Sequence, residues 1–232
     1  MNVEIITKYV RNVLFISSCG DIGHIPSYSG TCFLIKVAQN KYIVTAKHVV
    51  ENYDINDMVI LLDPSSSNIE ISHHKIKISH AVLLTDTSIV PDFYQQKMID
   101  DFAIFEVDTE GNDSLFDPYF FEYINPVFPL DNQGHLFIVG FPDCCQEINA
   151  ETHEGSFEPI LLNCCDYRKE IFYGFRVTVA QNEFDTFSGF SGSPLFYQAP
   201  DGSLCIIGMV LQSKEDTNFL YGIDIGVIKL FL

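Results

Sequence analysis

An all-β fold is predicted by three features of the sequence: its apolar segments are short, turn residues bound them, and its apolar content leans to aromatic and β-branched side chains. Of 232 residues, 47% are hydrophobic, with 20 Phe and 11 Tyr, a composition that favours pleated, half-buried surfaces over disorder. Strand-like runs occupy 13–17, 32–37, 42–45, 58–62, 76–78, 103–107, 136–139, 160–162, 173–180, 194–197, 204–211 and 219–225. Gly, Pro, Asn and Asp punctuate them, which is the pattern of a sandwich or barrel and not of alternating β-α units. Helical signal is confined to a turn after His48 and to the apolar tail at 227–232, which follows Gly226.

Turn signals crowd together at 109–134, where Gly111-Asn112-Asp113-Ser114, Asp117-Pro118, Asn125-Pro126 and Asp131-Asn132-Gln133-Gly134 follow one another. This stretch reads as the connection between two halves of a single domain spanning 1–232, one half about 1–115 and the other about 125–232. A site drawing residues from both halves would sit at their interface, a preferred place for a cleft.

Charge excludes several classes of partner. With 13 Lys plus Arg against 31 Asp plus Glu, the formal charge is −18, which repels phosphate backbones and anionic lipid headgroups. Nucleic acid and membrane surfaces are therefore not expected, whereas basic peptides are. No run of about eighteen apolar residues provides a spanning helix, and the N-terminus, Met1 to Arg11, lacks the basic and apolar regions of a secretory signal.

Seven cysteines, including the vicinal pairs Cys144-Cys145 and Cys164-Cys165, do not form a secreted disulfide framework. They read as buried free thiols in a reducing, cytoplasmic setting. The vicinal spacing also departs from that of zinc ligands, and the acidic group Glu51, Asp54 and Asp57 lacks the central glycine of a calcium loop. No metal or cofactor is expected.

The chemistry-bearing segment is Gly189-Phe190-Ser191-Gly192-Ser193-Pro194. Flanking glycines let the backbone bend and approach a ligand, so that N–H groups can face a developing oxyanion. Serine is a weak nucleophile unless a base takes its proton, and that base needs a third group to fix its tautomer. Two upstream segments supply candidates: Thr45-Ala46-Lys47-His48 and Asp101-Phe102-Ala103-Ile104. Asp100 competes with Asp101, which is preferred because it opens the alternating run into a strand. His73, His74 and His80 are alternative bases, but they lie in a polar region without the Thr-Ala lead-in and read as solvated histidines.

These three segments, in the order His, Asp, Ser, resemble those of chymotrypsin-like, trypsin-fold serine peptidases, in style the bacterial and HtrA-like branch. The separations, 101 − 48 = 53 and 191 − 101 = 90, are similar to the family's, and Val139-Gly140-Phe141-Pro142 resembles a turn of its second barrel. The resemblance implies two six-stranded antiparallel Greek-key β-barrels with the active-site cleft between them. It implies catalytic roles for His48, Asp101 and Ser191, and an oxyanion hole built from the amides of Gly189 and Ser191. Asp185, six residues before the serine, falls where the family places the floor of its specificity pocket, which would favour Arg or Lys in the substrate. Leu211, Gln212 and Ser213 would line one wall and pair with substrate backbone as an added strand.

Two departures from the family stand out. The residue before the serine is Phe190 instead of the aspartate that pairs with a cleaved N-terminus in the digestive branch, so activation by that ion pair is not expected. The chain stops at Leu232, leaving no room for the PDZ module of HtrA proteins. The implied function is serine endopeptidase activity on a protein or peptide substrate. The alternatives are a catalytically silent peptide-binding scaffold on the same fold, or a latent effector domain switched on by a regulatory partner.

Overall fold

The computed structural model describes residues 6–18, 24–62, 76–82, 93–109, 111, 113–124, 133–149, 151–152, 154–170, 173–180, 186–214 and 216–232. The first sheet contains β1 (Val10–Ser18), β2 (His24–Val37), β3 (Asn40–Ala46), β4 (Met58–Val59), β5 (Lys77–Val82), β6 (Phe102–Asp108) and β7 (Phe121–Glu122). Its order is β4-β1-β2-β3-β6-β5, with β7 added to β2 as a two-residue parallel pair. Among the described residues this sheet is a curled half-barrel. A hairpin of β9 (Gln146–Asn149) and β10 (Glu154–Phe157) follows β8 (His135–Gly140). With β8, the strands β11 (Ile160–Lys169), β12 (Gly174–Val179), β13 (Pro194–Gln198), β14 (Leu204–Ser213) and β15 (Phe219–Asp224) close a six-stranded antiparallel barrel in the order β11-β12-β15-β14-β13-β8.

Period-two alternation explains why β8, β13 and β14 read as unbroken apolar runs. Successive side chains of a strand point to opposite faces, and here both faces are covered. Ile138, Leu195, Ile207 and Val210 point into the closed barrel with Phe175, Val177 and Leu220. Their neighbours Phe137, Phe196, Ile206 and Met209 join a second cluster that is continuous with Val13, Leu34, Ile43 and Ile104 of the first sheet. One apolar layer thus holds the two sheets together. A polar clamp supplements it: Lys41 Nζ lies 2.6 Å from Asp113 and 2.9 Å from Asp117, tying the connecting segment to β3.

Short α-helices accompany the strands among the described residues, including α1 (Lys47–Val50), α2 (Phe93–Asp100) and α3 (Asp113–Phe116). The turn after His48 is α1, and the C-terminal tail becomes a 3₁₀ helix over Ile225–Leu230 whose first amides are capped by Asp224, accepting from Gly226 N at 2.7 Å. Helix α2 has no counterpart in the sequence reading, because Phe93-Tyr94-Gln95-Gln96-Lys97-Met98-Ile99-Asp100 is too short to display a repeating apolar stripe. Among the described residues the expectation of buried thiols holds only for Cys32, and Cys19 lies outside them. Cys144 and Cys165 are exposed, Cys145, Cys164 and Cys205 are half-buried, and all six are free. No helix among the described residues is long and apolar enough to cross a membrane.

Phe196 stacks on Phe137 with ring centroids 5.3 Å apart and meets Phe121 edge-on at 6.0 Å, so it packs at once against the barrel and the first sheet. Phe196→Ala should lower stability by about 3–5 kcal/mol, read as a shift in the denaturant midpoint.

Candidate active site

The β3–β6 pairing places His48 beside Asp101. Ala46 faces Phe102 across this ladder, so the two residues that follow Ala46 and the one that precedes Phe102 emerge at the same edge. Helix α1 begins there without a capping side chain of its own, and Asp101 satisfies its orphan amides instead. Lys47 N donates to Asp101 O at 2.7 Å and His48 N to Asp101 Oδ1 at 3.0 Å. The same carboxylate meets the ring: His48 Nδ1 lies 2.9 Å from both Oδ1 and Oδ2. An ionised carboxylate only accepts, so Nδ1 carries the proton and Nε2 of the neutral ring is left as an acceptor. Asp100 is exposed and is not the partner.

The His48 pKa is raised above its ordinary value, chiefly by the hydrogen bond to Asp101, against an opposing effect of burial and with smaller contributions from the charges of Asp101 and Glu51. Glu51 was not foreseen as a neighbour, although its i,i+3 spacing from His48 across the end of α1 allows it.

The segment Thr45-Ala46-Lys47-His48 has a structural logic. Thr45 is buried and donates through Oγ1 to Thr31 O at 2.7 Å, fixing the end of β3 against β2. Ala46 is fully buried beneath the turn. Of the other candidate bases, His80 is on β5, while His73 and His74 lie outside the described residues.

The Ser191 loop crosses from the closed barrel to the first sheet. Ser191 O accepts from Thr31 N at 3.1 Å, and Gly192 N donates to Val210 O at 2.9 Å. Gly192 adopts φ +85°, and a Cβ there would stand 2.0 Å from Thr31 O, so the crossing requires glycine. Ser191 Oγ donates to Leu211 O at 3.1 Å, its one hydrogen bond among the described residues. Leu211 is available for this because β14 bulges there: Val210 faces Gly222 and Gln212 faces Tyr221, which leaves Leu211 out of the ladder. Leu211 is buried, whereas Gln212 and Ser213 are exposed.

Backbone hydrogen bonds around the serine leave two donors over. Phe190 N donates to Phe187 O at 3.2 Å and Ser193 N to Phe190 O at 3.0 Å. Gly189 N and Ser191 N have no acceptor among the described residues. Gly189, at φ +89°, packs so closely that a Cβ would stand 2.4 Å from Phe141 O. Its carbonyl accepts from Thr31 Oγ1 at 2.8 Å and from Tyr28 OH at 3.3 Å, and Tyr28 OH also bonds Phe141 O. Tyr28, Thr31, Asp143 and Ser188, all in contact with this loop, carry no sequence signal, because strand residues and turn residues of these types occur everywhere in the chain. Asp185 lies outside the described residues.

Solved structures share this architecture. Protease Anisep from Arthrobacter nicotinovorans superposes with a TM-score of 0.57 at 14% identity, over 97% of this chain and 93% of that one. The thermostable serine protease AL20 from an extremophilic microorganism gives 0.56 at 12% identity, over 98% and 96%. A scabies mite protein described as an inactivated protease paralogue gives 0.54 at 14%, over 96% and 91%. No protein-family model matches the sequence, and no curated protein matches it. The chain has the two-barrel trypsin fold of chymotrypsin-like serine proteases.

Because the raised His48 pKa reports the Asp101 bond, an NMR titration should give His48 a midpoint above 6.5, the ordinary value, and Asp101→Asn should lower that midpoint. A raised pKa binds the proton more tightly in the folded state, so its stabilisation is complete below the ordinary histidine pKa and is lost as pH rises through the raised one.

Proposed function

We propose that the chain is a serine endopeptidase in which Ser191 is the nucleophile, His48 the general base and Asp101 the group that orients and charges-balances the imidazole. The observation that carries this reading is the Asp101 carboxylate at 2.9 Å from His48 Nδ1, which leaves Nε2 as the basic atom. The amides of Gly189 and Ser191, which have no acceptor among the described residues, support their assignment as the oxyanion hole.

In this scheme the Ser191 hydroxyl swings from Leu211 O toward His48 Nε2 and attacks the substrate carbonyl as the imidazole takes its proton. The oxyanion forms between the amides of residues 189 and 191, in a site where losing one such donor typically costs about 10²–10³ in kcat. His48 then returns the proton to the leaving amine. Water, deprotonated by the same ring, releases the acyl group. No cofactor enters any step.

The exposed Gln212 and Ser213 on β14 would pair with the substrate backbone as an added strand. Asp185 would favour Arg or Lys before the cut bond, in keeping with the formal charge of −18, which attracts basic peptides. The six cysteines among the described residues are all free, which supports a reducing, intracellular setting.

A second reading is a silent or partner-gated module on this fold. The Ser191 bond to Leu211 O favours it, because in this arrangement the hydroxyl is engaged elsewhere than on His48.

A fluorophosphonate probe should label the wild-type protein and fail on Ser191→Ala. Absence of labelling in folded wild-type protein would sink the peptidase reading, and labelling that requires an added partner would favour the gated one. Digestion of a peptide library should show Arg or Lys before the cut, a preference that Asp185→Ser should abolish.

A further inference from the structure

The Gly189 amide belongs to the Ser188–Gly189 peptide, and in a trans peptide the N–H and C=O point to opposite sides. Whatever holds the Ser188 carbonyl therefore aims the Gly189 N–H. That holder is Asp143. Its amide donates to Ser188 O at 3.1 Å, and its carboxylate Oδ2 accepts the Ser188 hydroxyl. The two residues are thus joined by two bonds of opposite sense, one from backbone to backbone and one from side chain to side chain.

The fit leaves little slack. A Cβ on Gly189 would stand 2.7 Å from both Asp143 N and Asp143 Oδ1. Asp143 opens the 3₁₀ turn Asp143–Cys145 directly after Phe141 and Pro142, and Phe141 is itself fixed by its N–H to Thr31 Oγ1 at 2.9 Å. On the other side, Phe190 is fully buried against Phe187, with centroids 6.1 Å apart. That apolar side chain offers no charge with which an N-terminal ammonium could brace the loop.

Resting on the serine-peptidase reading, we propose that Asp143 and Ser188 form a positioning clamp that turns the Ser188–Gly189 peptide so that the Gly189 N–H faces the cleft as an oxyanion donor. Neither residue touches the reacting atoms. The carboxylate holds the Ser188 hydroxyl, which keeps the Ser188 backbone against the Asp143 amide, and the peptide plane follows. The clamp takes over, with residues internal to the second half of the chain, the task that a cleaved N-terminus performs elsewhere.

Kinetics on a peptide substrate test this. Asp143→Ala and Ser188→Ala should each lower kcat by about 10- to 100-fold, less than the outright loss of a donor, with KM within about threefold of wild type, since only the transition state uses the donor. The double variant should be no worse than the worse single one, because the two side chains act as one unit. Asp143→Asn keeps an acceptor for Ser188 Oγ and should stay within about threefold of wild type. Unchanged kcat in both alanine variants, or losses that multiply in the double variant, would overturn the clamp, provided Ser191→Ala abolishes activity in the same assay.

If the wild-type protein neither hydrolyses peptides nor takes the probe, the peptidase reading fails, and a crystal structure of Asp143→Ala still decides the clamp. A Ser188 carbonyl turned toward the cleft supports it, and one that keeps its wild-type direction refutes it.

Discussion

Thr31 is bonded through every polar atom it has, and the geometry of the site depends on those bonds. Its N–H donates to Ser191 O and its carbonyl accepts Thr45 Oγ1. Its hydroxyl donates to Gly189 O and accepts from Phe141 N. One fully buried residue of β2 thereby fixes the strand that leads to the histidine, the loop that carries the serine and the turn that follows β8. Hydroxyls are versatile in this way because they donate and accept together, and in a buried place each unmade bond costs about 1–3 kcal/mol. The bonds hold together or fail together, so the first sheet and the serine loop have a single relative placement.

That placement would be useless if the two sheets could slide. They are held by the outward faces of β8, β13 and β14, whose apolar residues merge with the interior of the first sheet. Because the inward faces of the same strands fill the closed barrel, a one-residue register slip would exchange two apolar sets of different shape instead of exposing one to water. Shape complementarity and close packing, more than the polar-apolar pattern, must then select the register. The buried bonds of Thr31 add the directional element that packing lacks.

These two levels differ in how well the sequence displays them. Each of the twelve apolar runs overlaps a strand, although of 58–62 only Met58 and Val59 do, and His48, Asp101 and Ser191 stand out because their chemistry demands neighbours of particular types within a few positions. Asp101 was separable from Asp100 because a strand's start sets which carboxylate meets the ladder edge. The supporting residues were not legible for the opposite reason. Thr31 lies 17 residues before His48 and 160 before Ser191, and nothing within its own strand marks the bonds it makes. The Asp143–Ser188 pair is equally long-range, and the bulge at Leu211 shows itself only in register. Helix α2 was missed because eight residues are too few for a period to declare itself, and the thiols because cysteine is apolar enough to be expected inside wherever no partner is visible.

The resting position of Ser191 follows from the same bulge. With Leu211 out of the ladder, its carbonyl needs a donor, and the nearest is the Ser191 hydroxyl at 3.1 Å. Under the serine-peptidase proposal, the hydroxyl would exchange that acceptor for His48 Nε2, one neutral hydrogen bond for another, each with a net value of about 0.5–1.5 kcal/mol. A peptide strand laid along Gln212 and Ser213 would act on this balance directly. It would bring backbone donors to the edge where Leu211 stands and place a carbonyl carbon where the serine must reach. In the proposed peptidase, the strand edge that would recognise substrate and the carbonyl that holds the Ser191 hydroxyl are parts of one short segment, so that binding and readiness to react would be coupled through the backbone of residues 210–213.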